Sequence, residues 1–129
     1  MASIFTKIIN GDIPSYKVAE NDEYLAFLDI QPLVKGHVLV IPKKEVDYIF
    51  DLDNDTLSGL MNFVKSVAKK MDQVLDCKRI GVTVIGLEVP HAHVHLIPIN
   101  GVADMDFGKK KLSLEADEME KIASSIKEA

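Results

Sequence analysis

The segment that most restricts how this chain can fold is His91-Ala-His-Val-His-Leu-Ile-Pro98, in which histidines alternate with apolar residues. Such alternation is typical of a β-strand, because successive side chains on a strand point to opposite faces. His91, His93 and His95 therefore share one face of the predicted strand, with about 6.5–7 Å between neighbours. The apolar residues between them face a core. The chain has four histidines, so most of its imidazoles are concentrated on this strand.

The apolar periodicity elsewhere predicts an α+β fold, with about five mostly antiparallel strands covered by helices. The predicted strands cover residues 16–19, 24–28, 37–41, 79–85 and 91–98. The predicted helices are a short one over residues 3–10, a long one over 55–75 and a terminal one capped by Ser113. The unbroken apolar run in strand 37–41 predicts a central position with both faces covered. We expect residues 1–129 to form one domain, including an irregular loop and helix at 100–129.

Charge and composition limit the classes of partner. The net charge is −5, and no basic block is longer than Lys109-Lys110-Lys111, which argues against binding of long nucleic acid through its phosphates. A small phosphorylated ligand is compatible with this charge if local groups meet it. The first residues have no apolar signal core, and no apolar run approaches the length of a membrane span. We therefore expect a cytoplasmic protein that makes no membrane contact.

Three histidines on one strand face support more than one chemistry. Neutral imidazoles bind zinc, copper or nickel, but Glu88 is the only acidic residue near them in sequence and no His-Glu-x-x-His motif is present. An imidazole is also a competent nucleophile at phosphorus, with its neighbours binding oxygens and protonating the leaving group. His93 is the natural nucleophile because it has a histidine on each side. A fixed partner must then hold its other ring nitrogen. A purely structural row on a solvated strand is the third alternative.

Several segments, in order along the chain, resemble the histidine triad (HIT) family, and most closely its Hint-like and bacterial branch. They are residues 3–14, 25–32, 36–43 and 91–98, and the last resembles the family signature of three histidines separated by apolar residues. The resemblance implies a HIT-like fold and a homodimer whose two sheets join. It also implies a hydrolase or transferase that binds a nucleoside monophosphate derivative and acts at the α-phosphate. We expect no cofactor.

The same resemblance implies roles for individual residues. His93 matches the nucleophile that becomes nucleotidylated, and His95 matches a residue that contacts the phosphate and leaving group. His91 supports the site by hydrogen bonding, and His37 matches the histidine that orients the nucleophile. Asp29 matches the carboxylate that accepts both ribose hydroxyls, which suits its two oxygens. The residues that match the apolar base pocket are Phe5, Ile8, Phe27, Ile30 and Leu39.

The segment before the histidines departs from the family pattern. The family often has Gly-Gln followed by Ser or Thr, whereas this chain has Gly86-Leu87-Glu88, and Thr83 stands at the position of a family asparagine. We include Thr83, Gly86 and Glu88 as candidate nucleotide contacts. Leu87 cannot donate a hydrogen bond, and Glu88 would repel a phosphate if it pointed inward. The carboxyl-terminal tail also lacks the tryptophan of the Hint pattern.

The lead hypothesis is hydrolysis of a purine nucleoside phosphoramidate through a nucleotidyl-His93 intermediate. Hydrolysis of a dinucleoside polyphosphate is an alternative, less favoured because such a tail needs more positive groups than this acidic chain offers. A non-catalytic nucleotide-binding or scaffold protein is the rival class, in which Leu87 and Glu88 mark a loss of catalysis. A metal enzyme is the third hypothesis.

Overall fold

The computed structural model describes residues 2–129, which form a five-stranded antiparallel sheet with three α-helices. The helices are α1 (Ile4–Ile9), α2 (Asn54–Val74) and α3 (Ala116–Glu128). The strands are β1 (Lys17–Glu20), β2 (Tyr24–Leu28), β3 (Val38–Pro42), β4 (Arg79–Thr83) and β5 (Val94–Ile99). Short 3₁₀ turns cover Ile49–Asp51 and Val102–Met105. The predicted α+β class and the strand number are confirmed.

The strand order is β1-β2-β3-β5-β4, and every neighbouring pair is antiparallel. All five residues of β3 are buried at the centre of the sheet, as its apolar run predicts. The β3–β5 register sets Leu39 opposite His95, and the β4–β5 register sets Thr83 opposite the same histidine. The histidine-bearing strand therefore lies inside the sheet rather than at its edge.

The two faces of the sheet have different covers. Helices α2 and α3 cover one face, where Val40 and Leu96 join a large apolar cluster with Val64 and Met71. The short helix α1 covers part of the other face, where its two buried residues meet a smaller cluster; the members are Phe5, Ile8, Leu25, Phe27, Leu39 and Ile41. The imidazoles lie on this second face beside Phe5. The smaller cluster thus lies on the same face of the sheet as the candidate site and directly beside it.

Three predicted boundaries are wrong. Strand β5 begins at Val94 rather than His91, because the amide of Ala92 donates to Val46 O at 2.7 Å instead of pairing within the sheet. Strand β4 ends at Thr83, two residues before the predicted end at Ile85. Helix α3 begins after Glu115 rather than Ser113. The amide of Leu112 donates to Pro32 O at 2.8 Å, which holds the chain before α3 against the β2–β3 connection.

Local sequence signals place the elements that carry the site. Ser3 caps α1 by accepting from the Thr6 amide at 3.1 Å, and Asp53 caps α2 by accepting from Thr56 at 2.7 Å, as such residues commonly do. Gly36 has a φ of +89°, and a Cβ there would lie 2.9 Å from Leu75 Cδ1. A glycine is therefore required at the turn that delivers His37. No helix among residues 2–129 is both long and apolar enough to cross a membrane.

Candidate active site

His91 is fixed at both ring nitrogens in the interior of the protein. Its Nε2–H donates to the carbonyl oxygen of Pro42 at 2.8 Å, so Nδ1 accepts a hydrogen bond from the Ser3 hydroxyl, also at 2.8 Å. The side chain is fully buried, and this desolvation lowers the pKa of His91 below its ordinary value. Ser3 is also the cap of α1, so one residue ties the amino-terminal helix to the first histidine of the row.

His93 has one ring nitrogen committed and one available. Its Nδ1–H donates to the carbonyl oxygen of His91 at 2.7 Å, which leaves Nε2 with an in-plane lone pair. The ring of Phe5 packs edge-on against the imidazole, with centroids 5.0 Å apart and an interplanar angle of 81°. A neutral imidazole held in this tautomer is the form that attacks an electrophile.

His37 and His95 form a hydrogen-bonded pair whose tautomers follow from a backbone amide. The Leu33 amide donates to His37 Nδ1 at 3.1 Å, so His37 carries its proton on Nε2. That N–H donates to His95 Nδ1 at 3.0 Å, which leaves His95 with a proton on Nε2. Burial, reinforced by the neighbouring histidines, lowers the pKa of His37 to about 3 and that of His95 to about 4. Both rings are therefore neutral at neutral pH.

The hydrogen bonds of His37 and His93 go to different partners. His93 Nδ1–H donates to His91 O, whereas His37 bonds to His95. The register explains the difference: Leu39 lies opposite His95, so position 37 is a diagonal neighbour of 95 and lies farther along the sheet from 93. The structure thus places His37 against the third histidine, and its role towards the nucleophile stays a prediction.

Asp29 lies between two cavities. One, of about 120 Å³, is mostly apolar, and the other, of about 150 Å³, reaches His93 and His95. Oδ1 of Asp29 accepts from the Gln31 amide at 2.9 Å, and burial raises the pKa of the carboxyl group above its usual value. Asp29 is therefore shared by an apolar recess and by the cavity that contains the two histidines.

The predicted base-pocket residues come together around the apolar cavity. All five line it, namely Phe5, Ile8, Phe27, Ile30 and Leu39. Its other lining residues include Ile13 and Pro14, which sequence reasoning left in a connecting segment. An isoleucine before a proline gives no local signal that separates a cavity wall from a loop contact.

The segment before the histidines, which departs from the family pattern, also reaches the site. Gly86, Leu87 and Glu88 line the 150 Å³ cavity, and Leu87 is 87% exposed. Gly86 has a φ of +75°, a conformation that suits glycine. Thr83 faces His95 across the β4–β5 register but does not line this cavity.

Two residues of the carboxyl-terminal loop complete the cavity and were missed by sequence reasoning. We call residues 100–112 the strap. Phe107 places its ring edge-on to His95, with centroids 4.9 Å apart, and Lys111 lines the same cavity. The signals available were a phenylalanine in a polar loop and a lysine run. Neither indicates a position near histidines of another segment.

A larger apolar recess opens on the other side of His93. It has a volume of about 610 Å³, and its walls come from the 3₁₀ turn, α2 and the chain after β4; they include Phe50, Met61, Val84 and Ile85. These four side chains are between 39% and 72% exposed. The recess therefore leaves a sizeable apolar surface uncovered next to the histidine row.

A metal at this site requires lone pairs that the hydrogen bonds do not leave free. Asp29, His37 and His95 each offer one ligand atom, all within 4.8 Å of one another. The amide of Leu33 donates to His37 Nδ1, however, so His37 Nε2 carries a proton and cannot ligate. In the other tautomer of His37 the proton would be on Nδ1, and this N–H would then face the N–H of Leu33, which is also a donor. These residues therefore suit a proton-ordered hydrogen-bond chain better than a metal.

Comparison with known proteins agrees with the resemblance. A model of the HIT domain matches residues 10–101. An uncharacterised HIT-like protein of Borreliella burgdorferi is 35% identical, with 95% of this chain and 94% of that protein covered. An adenosine 5′-monophosphoramidase of Candida albicans is 34% identical, over 97% of this chain and 89% of that protein. The solved structure of a HIT-like protein from Bartonella henselae superposes with a TM-score of 0.84 at 32% identity, covering 98% and 94% of the two chains. By its sequence, its fold and its row of histidines, this chain belongs to the histidine triad family.

Proposed function

We propose that the chain hydrolyses purine nucleoside 5′-phosphoramidates, with His93 Nε2 attacking the α-phosphorus. The observation that carries this proposal is the 2.7 Å hydrogen bond from His93 Nδ1 to His91 O, which leaves a nucleophilic lone pair on Nε2. The relatives named adenosine 5′-monophosphoramidase, at 34–41% identity, support the same reaction class.

The proposed reaction has two half-reactions. His93 Nε2 forms a bond to phosphorus as the phosphorus–nitrogen bond breaks, and the leaving nitrogen takes up one proton from solvent to depart as the amine. Water then attacks the nucleotidyl-His93 adduct, which returns the neutral imidazole, yields the nucleoside monophosphate and releases one proton. His95 Nε2–H is the hydrogen-bond donor beside the reacting phosphorus, since His37 holds the opposite ring nitrogen at 3.0 Å. Donors fixed before reaction stabilise developing charge without reorganisation.

Two cavities joined at Asp29 support a nucleotide as substrate. The apolar recess of about 120 Å³ takes the base, and its walls include the rings of Phe5 and Phe27, which pack edge-to-face on each other. Asp29 accepts the ribose hydroxyls, and the α-phosphate lies in the cavity that His93 and His95 share. Replacing Asp29 by Asn should then raise KM for a ribonucleotide while changing KM little for its 2′,3′-dideoxy counterpart.

The deciding experiment measures turnover of adenosine 5′-phosphoramidate by the wild-type chain and by His93→Ala. We expect the variant to lose at least about 1,000-fold in kcat, as expected for removal of a nucleophile. Val74→Ala is the matched control, because Val74 is exposed at the end of α2 and lines none of these cavities. Turnover retained by His93→Ala would overturn the mechanism.

The covalent step needs its own readout. Substrate labelled at the α-phosphate, quenched with denaturant at alkaline pH, should leave a protein-bound label that acid releases and that His93→Ala lacks. Clear nucleotide binding with no such adduct would instead favour the non-catalytic scaffold. Including a dinucleoside polyphosphate in the same substrate panel tests the alternative leaving group.

We further propose a homodimer in which the two sheets join along β4. The supporting observation is that β4 is the last strand of the sheet and exposes 49% of Val82 beside the uncovered Val84 and Ile85. An open apolar edge of this kind pairs readily with another copy. Val82→Lys should convert the dimer to a monomer in sedimentation velocity, whereas Val102→Lys, at a valine outside β4 that is 91% exposed, should not.

A further inference from the structure

The cavity that adjoins His93 and His95 has an unfavourable charge for an anion. Asp29 and Glu88 both line it, and Lys111 is the only lysine or arginine among its lining residues. His95 is neutral, since its pKa lies at about 4. A phosphate entering here would meet two carboxylates and the neutral imidazole of His95 were it not for Lys111.

The strap is held on both sides of Lys111. The next residue, Leu112, donates its amide to Pro32 O in the β2–β3 connection at 2.8 Å. Before the lysine, Phe107 packs on His95 of β5 with centroids 4.9 Å apart. The lysine therefore emerges between a contact to the β2–β3 connection and a contact to the sheet.

The ammonium group of Lys111 has no competing partner in the part of the chain that the structure describes. Four lysines pair with carboxylates, among them Lys35 with Glu118 at 2.7 Å and Lys43 with Glu20 at 2.8 Å, whereas Lys111 makes no ion pair with the described residues. Its side chain is half-buried. Its positive charge nevertheless lowers the pKa of Asp29, His37 and His95, so the field of Lys111 extends across the whole site.

We propose that Lys111 Nζ binds a non-bridging oxygen of the α-phosphate and is a phosphate-binding residue of this active site. The inference rests on the proposed nucleotide function. Lys111 supplies from the strap the positive charge that neither Leu87 nor Glu88 offers on the same cavity. A lysine is suited to this task because it carries a compact charge with three donors on a flexible stem.

The first test compares kcat/KM for adenosine 5′-phosphoramidate in Lys111→Met with that in Lys109→Met and Lys110→Met. The two controls remove the same charge from exposed residues of the same run. We expect Lys111→Met to lose about 10- to 100-fold, comparable to removing a charge-stabilising donor, and Lys111→Arg to recover most of it. Equal effects in all three methionine variants would show a general charge effect and overturn the proposal.

The second test separates phosphate binding from support of the strap. Calorimetry should show that Lys111→Met weakens binding of adenosine monophosphate about 10-fold or more while leaving adenosine binding unchanged. A structural role would weaken both ligands alike, and it would also lower the thermal unfolding midpoint. Unchanged affinity for adenosine monophosphate would overturn the proposal.

The two proposals can fail separately. Normal wild-type turnover with an unaffected Lys111→Met variant would remove Lys111 from the site and leave the phosphoramidase assignment standing. Monophosphate binding that depends on Lys111, in a chain that turns over no phosphoramidate, would do the opposite. Turnover of a methylphosphonamidate, which lacks the negative charge on phosphorus, gives a further check, because its rate should be nearly insensitive to Lys111→Met.

Discussion

Two phenylalanines flank the histidine row with similar geometry but different support. Phe5 meets His93 at 5.0 Å and 81°, and Phe107 meets His95 at 4.9 Å and 72°. Phe5 is 6% exposed and belongs to the apolar cluster beneath α1. Phe107 is half-buried in the strap, outside the apolar clusters. The same edge-to-face contact is thus made once by the core and once by a loop.

This difference separates the two sides of the site. On the side of His91 and His93, packing and main-chain hydrogen bonds are part of the folded core, so changes there alter stability and activity together. On the strap side, the contacts are made by a loop that lies against the sheet and outside the apolar clusters. Changes there should alter ligand handling at little cost to folding.

The largest expected effect compares the two rings directly. Phe5→Ala should lower the free energy of unfolding by about 3–5 kcal/mol, the usual cost of removing a buried aromatic side chain. Phe107→Ala should cost less than about 1 kcal/mol and yet reduce kcat/KM, since His95 loses its packing partner. Urea unfolding with parallel kinetics makes the comparison. Equal losses of stability would show that the strap is part of the core.

Acid should weaken the fold through His37 and His95. Their pKa values fall from 6.5 in the unfolded chain to about 3 and 4 in the folded protein, so the unfolded state binds more protons as the pH falls below 6.5. The free energy of unfolding should decline towards pH 4 with a slope of up to about 1.4 kcal/mol per pH unit for each proton. The raised pKa of Asp29 opposes this loss at the acidic end.

The slope can be assigned by substitution. His37→Gln removes one of the two depressed groups, and it should flatten the decline measured by denaturant titrations at several pH values between 6.5 and 4. An unchanged slope would place the proton uptake elsewhere in the chain.

A smaller effect distinguishes two helix caps. Ser3→Ala should lower the free energy of unfolding by about 1 kcal/mol and also reduce kcat, because His91 loses the hydroxyl that donates to Nδ1. Asp53→Ala removes the cap of α2. The Asp53 carboxylate bonds to the Thr56 amide and not to a site histidine, so this change should lower the unfolding midpoint without changing kcat. Loss of activity in both variants would indicate a general response to destabilisation.

The smallest expected change lies at the start of the strap. Asp104→Asn weakens the acceptor for the amides of Asn100 and Gly101, and it should raise KM modestly while leaving kcat and the unfolding midpoint nearly unchanged. Steady-state kinetics with adenosine 5′-phosphoramidate measures the effect. A drop in kcat without a change in KM would show that the strap acts on chemistry rather than on binding.

Much of the fold could be predicted from local patterns. The long helix α2 and the central position of β3 follow from the period of their apolar residues. The start of β5 at Val94 could not be predicted. His91 and His93 continue the alternating pattern of the strand, but the backbone of this segment hydrogen-bonds outside the sheet, as the Ala92 amide does to Val46 O. The cap at Ser113 failed for a related reason: a tertiary hydrogen bond at Leu112 decides where that loop is held.

The candidate site divides in the same way. The histidine spacing, Asp29 and the apolar residues around Phe5 could be identified from the sequence and its family resemblance. The structure brings these residues together around the two cavities. Phe107 and Lys111 have ordinary local surroundings in the sequence. Their placement depends on a loop that returns to the site from the far end of β5.

The sequence alone showed which groups can react, because His91, His93 and His95 stand at alternate positions of one segment. Only the tertiary structure decided their protonation: His91 O, the Leu33 amide and the Ser3 hydroxyl each come from specific backbone geometry. A ring nitrogen donates or accepts according to the group set opposite it, and that pairing exists only once the strands are in register. The structure therefore leaves Nε2 of His93 unprotonated, with its lone pair available, and Nε2 of His95 protonated as a hydrogen-bond donor.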